Sequence, residues 1–283
     1  MSILSDAIII GLIVAAPLVL AAMGFTLIYY LNGFINVAYA ENITLGAYFA
    51  VIFNTWFGLN FFVAIIPAAL LTGLLSLLTY QLVFRPAFNR GVSGAEAIIL
   101  SIGLSFFLRY AAILIFSNDP LVMDVGFTSY LRIFGQGITS TQIVALSLVA
   151  ISAGALYYLI YQTPYGEKIR GLANNSQLAM VSGINPNRVA LQVWFLAGIA
   201  GGLAGMFFGV FSLVTPRVGW NQILIVTMIA IVGGVGSVRG ALLASVGAGI
   251  ITAGVTLLTQ PLYAQVILLL FFIVVLRLKK NRG

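Results

Sequence analysis

Long apolar runs, separated by short polar or glycine- and proline-containing segments, fill most of this 283-residue chain. A helix that crosses a membrane needs about 20 mainly apolar residues, and most of the runs reach or approach that length. The second and seventh runs are short and contain glycine, which is typical of broken or re-entrant helices that line a pathway. The pattern therefore predicts an all-α polytopic integral membrane protein with about 8–10 transmembrane or re-entrant helices. The candidate spans are residues 7–31, 43–57, 61–84, 95–116, 141–161, 189–214, 223–235, 241–258 and 262–276.

The positions of lysine and arginine predict how these spans are oriented, because basic residues are retained in inner loops. With the N-terminus outside, ten of the thirteen basic residues fall in inner loops, two fall in outer loops, and Arg109 lies inside a span. We therefore expect an outer N-terminus and an inner C-terminus. The net charge of +7 is a topology signal and does not indicate nucleic acid binding. The inner residues are Arg85, Arg90, Lys168, Arg170, Arg188, Arg239, Arg277, Lys279, Lys280 and Arg282.

Composition agrees with a chain whose main solvent is the lipid bilayer. Hydrophobic residues make up 61% of the sequence and charged residues 7%, whereas a soluble domain carries about 25% charged residues. Histidine and cysteine are both absent, which removes the commonest metal ligand, the commonest general base and all thiol chemistry. No catalytic residue, metal or cofactor is expected. A phosphate-binding loop is also missing, because residues 233–240, GGVGSVRG, have glycines but no Lys-Ser/Thr pair.

Three charged residues lie within the predicted spans, where insertion costs at least ~2.5 kcal/mol near the centre. Glu96 begins its span, and the preferred interpretation is an acid stabilised by the helix N-terminus. Arg109 lies about 21 Å along its span, in the outer half, where it either snorkels outward or faces the pathway. Glu41 begins the second span on the inner side, after residues 34–40, FINVAYA, which are expected to dip back into the protein. It is either a helix-start acid or a carboxylate at a gate.

A row of glycines in the span of residues 189–214 predicts close helix packing. In lipid there is little hydrophobic drive between helices, so close backbone approach supplies the attraction. Packing within the chain is the favoured interpretation, and packing against a partner permease is the alternative. The glycines are Gly198, Gly201, Gly202 and Gly205.

Residues 163–188 form the longest predicted inner connection. Within it, residues 167–181 are expected to form one short helix that is too polar to cross the membrane. It is either an ordinary interfacial helix or a docking helix for a cytoplasmic subunit. The apolar positions at helical spacing are Ile169, Leu172, Ala173 and Met180.

Three segments resemble the LivH-type permeases, the membrane subunits of ATP-binding-cassette importers for branched-chain and other hydrophobic amino acids. Residues 24–48, GFTLIYYLNGFINVAYAENITLGAY, resemble the first span of that family and its NFAHGE…LGAY motif. Residues 163–209 resemble its inner loop and the Ala/Gly-rich span that follows, and residues 216–249 resemble its C-terminal GG.GS..GA..G region. One departure is that AHGE is AYAE here, so Tyr39 and Ala40 replace histidine and glycine while the glutamate is kept.

This resemblance implies a single transmembrane permease domain over residues 1–283, with alternating access for neutral and branched-chain amino acids in a bacterial inner (plasma) membrane. It implies three kinds of partner besides lipid: a second, different but related permease, two cytoplasmic ATPases and a periplasmic amino-acid-binding protein. The chain itself is not expected to be an enzyme. ATPase coupling is assigned to Gly166, Glu167, Lys168, Arg170, Ala173, Ala179 and Gly183. The pathway or gate is assigned to Asn36, Tyr39, Glu41 and Arg109.

Other functions remain open at this point. A stand-alone secondary transporter or channel for small neutral solutes would need coupling-ion ligands or a filter, yet only three charged residues lie in the spans. A permease for urea or short amides is a further possibility within the same family. An intramembrane enzyme is the least favoured class, because no span carries paired acids, histidine or cysteine.

Overall fold

Helices make up most of the chain, and they follow the apolar runs of the sequence. The structure is a computed structural model that describes residues 3–126, 129–133, 136–234 and 236–280, so Arg282 of the predicted inner tail lies outside the described residues. Turns of π-helix at Ile52–Trp56 and Tyr80–Phe84 extend α2 and join α3 to α4. The helices are α1 Ile3–Asn32, α2 Tyr39–Val51, α3 Phe61–Thr79, α4 Arg85–Asn89, α5 Gly94–Phe116, α6 Ser140–Gln162, α7 Pro164–Asn174, α8 Ser176–Val181, α9 Pro186–Phe211, α10 Val218–Gly233, α11 Val238–Leu258 and α12 Pro261–Lys280.

Six of the described helices are long and apolar enough to cross a membrane, and two shorter ones are also apolar. Together with α2, they correspond one for one to the nine predicted spans. The prediction of a helical polytopic membrane protein is therefore confirmed. The six long helices are Asp6–Asn32, Phe61–Asn89, Gly94–Phe116, Ser140–Gln162, Pro186–Phe211 and Val238–Leu258, and the shorter ones are Val218–Gly233 and Tyr263–Leu278.

Three helix boundaries differ from the sequence prediction. Helix α2 begins at Tyr39 and α10 at Val218, four and five residues earlier than the apolar runs indicate. The extra turn of α2 contains Glu41, a polar residue that a hydropathy pattern excludes but that finds partners inside the bundle. The single helix expected over residues 167–181 is two helices, because Asn175 is extended (φ −153°) and its side chain accepts a hydrogen bond from the Leu178 amide.

The longest described outer connection, between α5 and α6, contains a small antiparallel hairpin of β1 Tyr130–Ile133 and β2 Gln136–Thr139. An isolated bridge between Leu121 and Val214 fastens this connection to the segment after α9. Backbone pairing therefore orders part of this connection and ties it to the segment between α9 and α10.

The long helices pack in two antiparallel pairs. Helix α1 runs along α11, with Gly11 against the Ile250 backbone, and α9 runs along α3, with Gly198 against Thr72 and Ser76. Helix α2 packs between α3 and α9, and α10 packs against α11 and α1, so each short helix lies beside the pair that contains the helix after it in sequence. The sets α1–α2–α3 and α9–α10–α11 therefore have the same order and run in opposite directions. Transporters with this architecture hold their functional site at mid-depth, between the short helices.

Candidate functional site

The two short helices begin inside the bundle, and their first turns meet. The segment after α1 enters the protein as expected, since Phe34, Asn36 and Ala38 are all buried. It delivers the chain to the first turn of α2. There the Gly219 amide of α10 donates a hydrogen bond to the Thr44 hydroxyl (3.1 Å). A side chain at Gly219 would overlap the Ala40 carbonyl, so glycine is required for this approach.

An ion pair is buried beside this junction. The Glu41 side chain is 0% exposed and Arg109 of α5 is 8% exposed. Glu41 Oε1 accepts hydrogen bonds from Arg109 Nη2 (2.9 Å) and Nε (3.3 Å), and from the Ser105 hydroxyl (2.8 Å). Arg109 Nη2 also donates to Ser105 Oγ (3.1 Å). The two charges that the sequence analysis treated separately are therefore each other's partners.

Arg109 links the ion pair to a third helix. Its guanidinium carbon lies 4.1 Å from the centroid of the Trp220 ring, in the first turn of α10, and 5.5 Å from that of Phe106. A cation over an indole face at this distance is attracted by about 0.5–2 kcal/mol, with the larger value at desolvated sites. One arginine on α5 thus holds the starts of both short helices.

The depth of Glu41 corrects the sequence analysis, which placed this residue on the inner side. Ser105 is 11 residues beyond the start of α5, or about 16 Å along it. Glu41 is therefore near the middle of the bundle. The preceding segment, residues 33–38, leads the chain from the inner end of α1 back into the bundle before α2 begins. Arg109 does not snorkel outward, since its side chain turns back toward Ser105 and the carboxylate.

Pairing is what allows these two charges to remain at mid-depth. An unpaired charge there costs about 2.5–3.5 kcal/mol on insertion scales. Removal of one partner from a buried pair costs about 3–5 kcal/mol, because the other charge is left without compensation. Among the described residues, Glu41 Oε2 has no hydrogen-bond donor, so one carboxylate oxygen remains able to accept.

The two other gate candidates lie near the ion pair but face different partners. Tyr39 is fully buried, and its hydroxyl donates to the Ala197 carbonyl of α9 (3.2 Å). Asn36 is also buried, and its Oδ1 has no hydrogen-bond partner among the described residues. The structure brings together Glu41 and Arg109 but keeps Tyr39 on the α9 side of α2.

The four glycines of α9 face other helices of the same chain. A Cβ on Gly198 or Gly202 would crowd Thr72 of α3, and one on Gly205 would overlap the Ile43 carbonyl of α2. Gly201 packs on the Tyr39 ring. These contacts support the intrachain interpretation of the glycine row.

Comparison with known proteins identifies the family. The sequence profile of the family described as "Branched-chain amino acid transport system / permease component" matches residues 7–276. The chain belongs to this permease family. The LivH-type resemblance of the sequence is thereby confirmed, and the chain is a multi-pass membrane permease subunit.

Individual relatives agree with this assignment. The permease is 25% identical to the high-affinity branched-chain amino acid transport system permease protein LivH of Escherichia coli, over 94% of this chain and 90% of that protein. It is 27% identical to BraD of Pseudomonas aeruginosa, which has the same description, over 86% of this chain and 83% of that protein. It is also 26% identical to the guanosine ABC transporter permease protein NupQ of Bacillus subtilis, over 69% of this chain and 64% of that protein.

A solved structure shares the fold of the permease. The structure titled "PsaBC from Streptococcus pneumoniae in complex with Fab" matches with a TM-score of 0.50 and 16% identity, over 97% of this chain and 91% of that one. At this identity the likeness concerns the arrangement of helices alone.

The inner connection of the permease presents a different surface from the one expected. Of the apolar positions identified from the sequence, Ile169 and Leu172 are buried within the chain, whereas Met180 is exposed. The outward apolar side chains lie on α8, where Leu178 is 64% exposed, Met180 50% and Val181 87%. The break at Asn175 turns α8 away from the face of α7 and explains the difference.

The residues assigned to ATPase coupling divide into a fixed and an exposed group. Gly166 packs on the Ile160 carbonyl at the end of α6, and Arg170 donates a hydrogen bond to that same oxygen. Gly183, with φ +84°, ends α8 in a conformation that favours glycine. Ala179 is buried and Ala173 half-buried, whereas Glu167 and Lys168 are exposed.

Sequence reasoning missed Ser105, Thr44 and Trp220. The sequence does contain a signal for Ser105. Ser101, Ser105 and Arg109 recur at intervals of four residues on an otherwise apolar helix. That spacing places them on one face, which suggests a buried polar partner. The sequence near Glu41 or Trp220 does not indicate that the two residues belong to one site, because only the packing of α2 on α10 brings them near each other.

Proposed function

We propose that this permease imports neutral and branched-chain amino acids across a bacterial inner membrane by alternating access, driven by ATPases on partner chains. The observation that carries the proposal is the match of residues 7–276 to the branched-chain amino acid permease family. The proposed partners are a second related permease, two cytoplasmic ATPases and a periplasmic amino-acid-binding protein.

The ion pair is the gate of the proposed pathway. Glu41 and Arg109 join α2, α5 and α10 at mid-depth, where the two short helices meet. Separation of these helices requires the ion pair and the Arg109–Trp220 contact to break or move together. The free Oε2 of Glu41 gives the carboxylate a second position at which to accept a donor, such as the ammonium group of a passing amino acid.

Helix α8 is the proposed contact with an ATPase. Leu178, Met180 and Val181 form an exposed apolar patch in a segment that lies between spans. Such a patch outside the bilayer suits a protein partner. Helix α7 is held to the end of α6 by Gly166 and Arg170, so a push on α8 is transmitted to the spans.

Co-purification tests the proposed assembly. The tagged permease is expected to retain an ATPase whose hydrolysis rate depends on the permease being present. An uptake panel of labelled amino acids, guanosine and urea, measured in a strain that lacks the permease, is expected to show loss of branched-chain amino acid uptake. Loss of only the nucleoside or amide substrate would contradict the proposed substrate class, and solute flux through the isolated chain would contradict the assembly.

Leu178→Asp is expected to uncouple the transporter without preventing membrane insertion. A charge within the α8 patch weakens its apolar contact, and we expect ATPase retention and uptake to fall about tenfold. The matched control is Gln177→Asp, the same new charge at the neighbouring exposed position. Equal retention of the ATPase by both variants would show that the patch is not the contact.

A further inference from the structure

An apolar groove runs between α6, α1 and α11 at membrane depth. Its cavity volume is about 480 Å³, and along α6 it extends from Leu146 to Tyr157, about 16 Å. The floor is made by small residues, including Ala15, Ala153 and Gly154. A Cβ built on Gly154 meets no atom within 4 Å, so the groove is open above it.

A cationic side chain lies at the inner mouth of this groove. Arg239 is exposed, one turn before the groove residue Leu242 on α11. Its guanidinium carbon lies 5.3 Å from the ring centroid of Tyr157, which lines the groove, and 4.5 Å from that of Tyr161. Among the described residues, no hydrogen bond or ion pair engages this guanidinium. Stacking on the rings leaves its N–H donors free for an anionic oxygen.

We propose that the groove binds one anionic phospholipid, with an acyl chain along α6 and its phosphate on Arg239. The predicted topology puts Arg239 at the inner leaflet, where basic residues between spans attract anionic headgroups. The apolar walls suit an acyl chain, and the exposed guanidinium supplies the complementary charge. The lipid holds the inner end of α6, which carries α7, against the start of α11.

The charge at the mouth of the groove favours a lipid over a helix of a partner subunit. An apolar helix in the groove would offer no anion to the exposed guanidinium of Arg239. The charge at the mouth therefore indicates an amphiphile with an anionic head.

Native mass spectrometry of the purified full-length permease tests the proposal. The protein is equilibrated with equal amounts of phosphatidylglycerol and phosphatidylcholine that carry identical acyl chains. We expect one phosphatidylglycerol to be retained in preference. Arg239→Gln is expected to lower that retention about fivefold, whereas Arg90→Gln, at another exposed inner arginine, is expected to leave it unchanged.

Gly154→Leu tests the groove itself, because the new side chain fills open space. Its matched control is Gly247→Leu, where a Cβ also meets nothing within 4 Å but which does not line the groove. We expect only Gly154→Leu to lose the lipid, with both variants eluting as folded protein. Equal retention of the two lipids, unchanged retention in Gly154→Leu, or displacement of the lipid by glycerol phosphate would each overturn the proposal.

Discussion

Replacing Glu41 with alanine is expected to lower uptake of labelled leucine about tenfold or more, while the amount of permease in the membrane falls much less. The change leaves Arg109 buried at mid-depth with only Ser105 and the rings of Trp220 and Phe106 as partners. Loss of one member of a buried pair costs about 3–5 kcal/mol, and here that cost falls on the junction between α2, α5 and α10. The measurement is uptake by cells that make the whole transporter, normalised to permease in the membrane fraction.

A charge-neutral double variant separates a gate from a structural link. Glu41→Leu with Arg109→Leu removes both charges, and replacement of a buried pair by apolar side chains is often neutral for stability. We expect this variant to insert normally and still fail to transport. Full uptake would show that the pair only supports the fold. Glu96→Gln is the control. Glu96 is an acid in the first turn of α5, the helix that also carries Arg109, and it forms an exposed capping box with Ser93. Glutamine preserves that capping box.

Gly202→Leu is expected to prevent correct packing of α9, with a fall of tenfold or more in folded, membrane-extracted protein. A Cβ at this position would lie 2.7 Å from both Cβ and Oγ1 of Thr72. On its other side the backbone of Gly46 approaches the backbone of Gly202 itself. Neither α2 nor α3 can move away without losing its own contacts with α9, and overpacking of such a site costs about 1–3 kcal/mol or more.

Gly247→Leu is the matched control for this prediction. It places the same side chain on another long helix, at a position where the structure leaves open space. Its yield and elution profile are expected to equal those of the unmodified permease. Normal yield and transport in Gly202→Leu would contradict close packing at the α2–α9–α3 contact.

The sequence predicted the helices well because the bilayer imposes a simple rule on segment length. It also predicted the dip after α1, since residues 34–40 are too apolar for a free loop and too short to cross. The glycine row of α9 was recognisable from its spacing alone. These features depend on local composition, which a single sequence displays directly.

The site was only partly predictable, because its geometry depends on contacts between distant segments. Glu41 and Arg109 were each identified from the cost of charge in lipid, but their pairing spans 68 residues of sequence. The mid-depth start of α2 follows from its packing on α5 and α9. The turn of α8 away from α7 depends on one extended residue, Asn175, whose side chain caps α8.

Reconstitution in proteoliposomes tests the central claim most directly. The permease is purified with its ATPases and partner permease, and uptake of labelled leucine is measured with the amino-acid-binding protein outside and ATP inside. We expect accumulation that requires ATP, the binding protein and an intact Glu41. Leucine flux through the permease alone, without ATP or partners, would contradict the account.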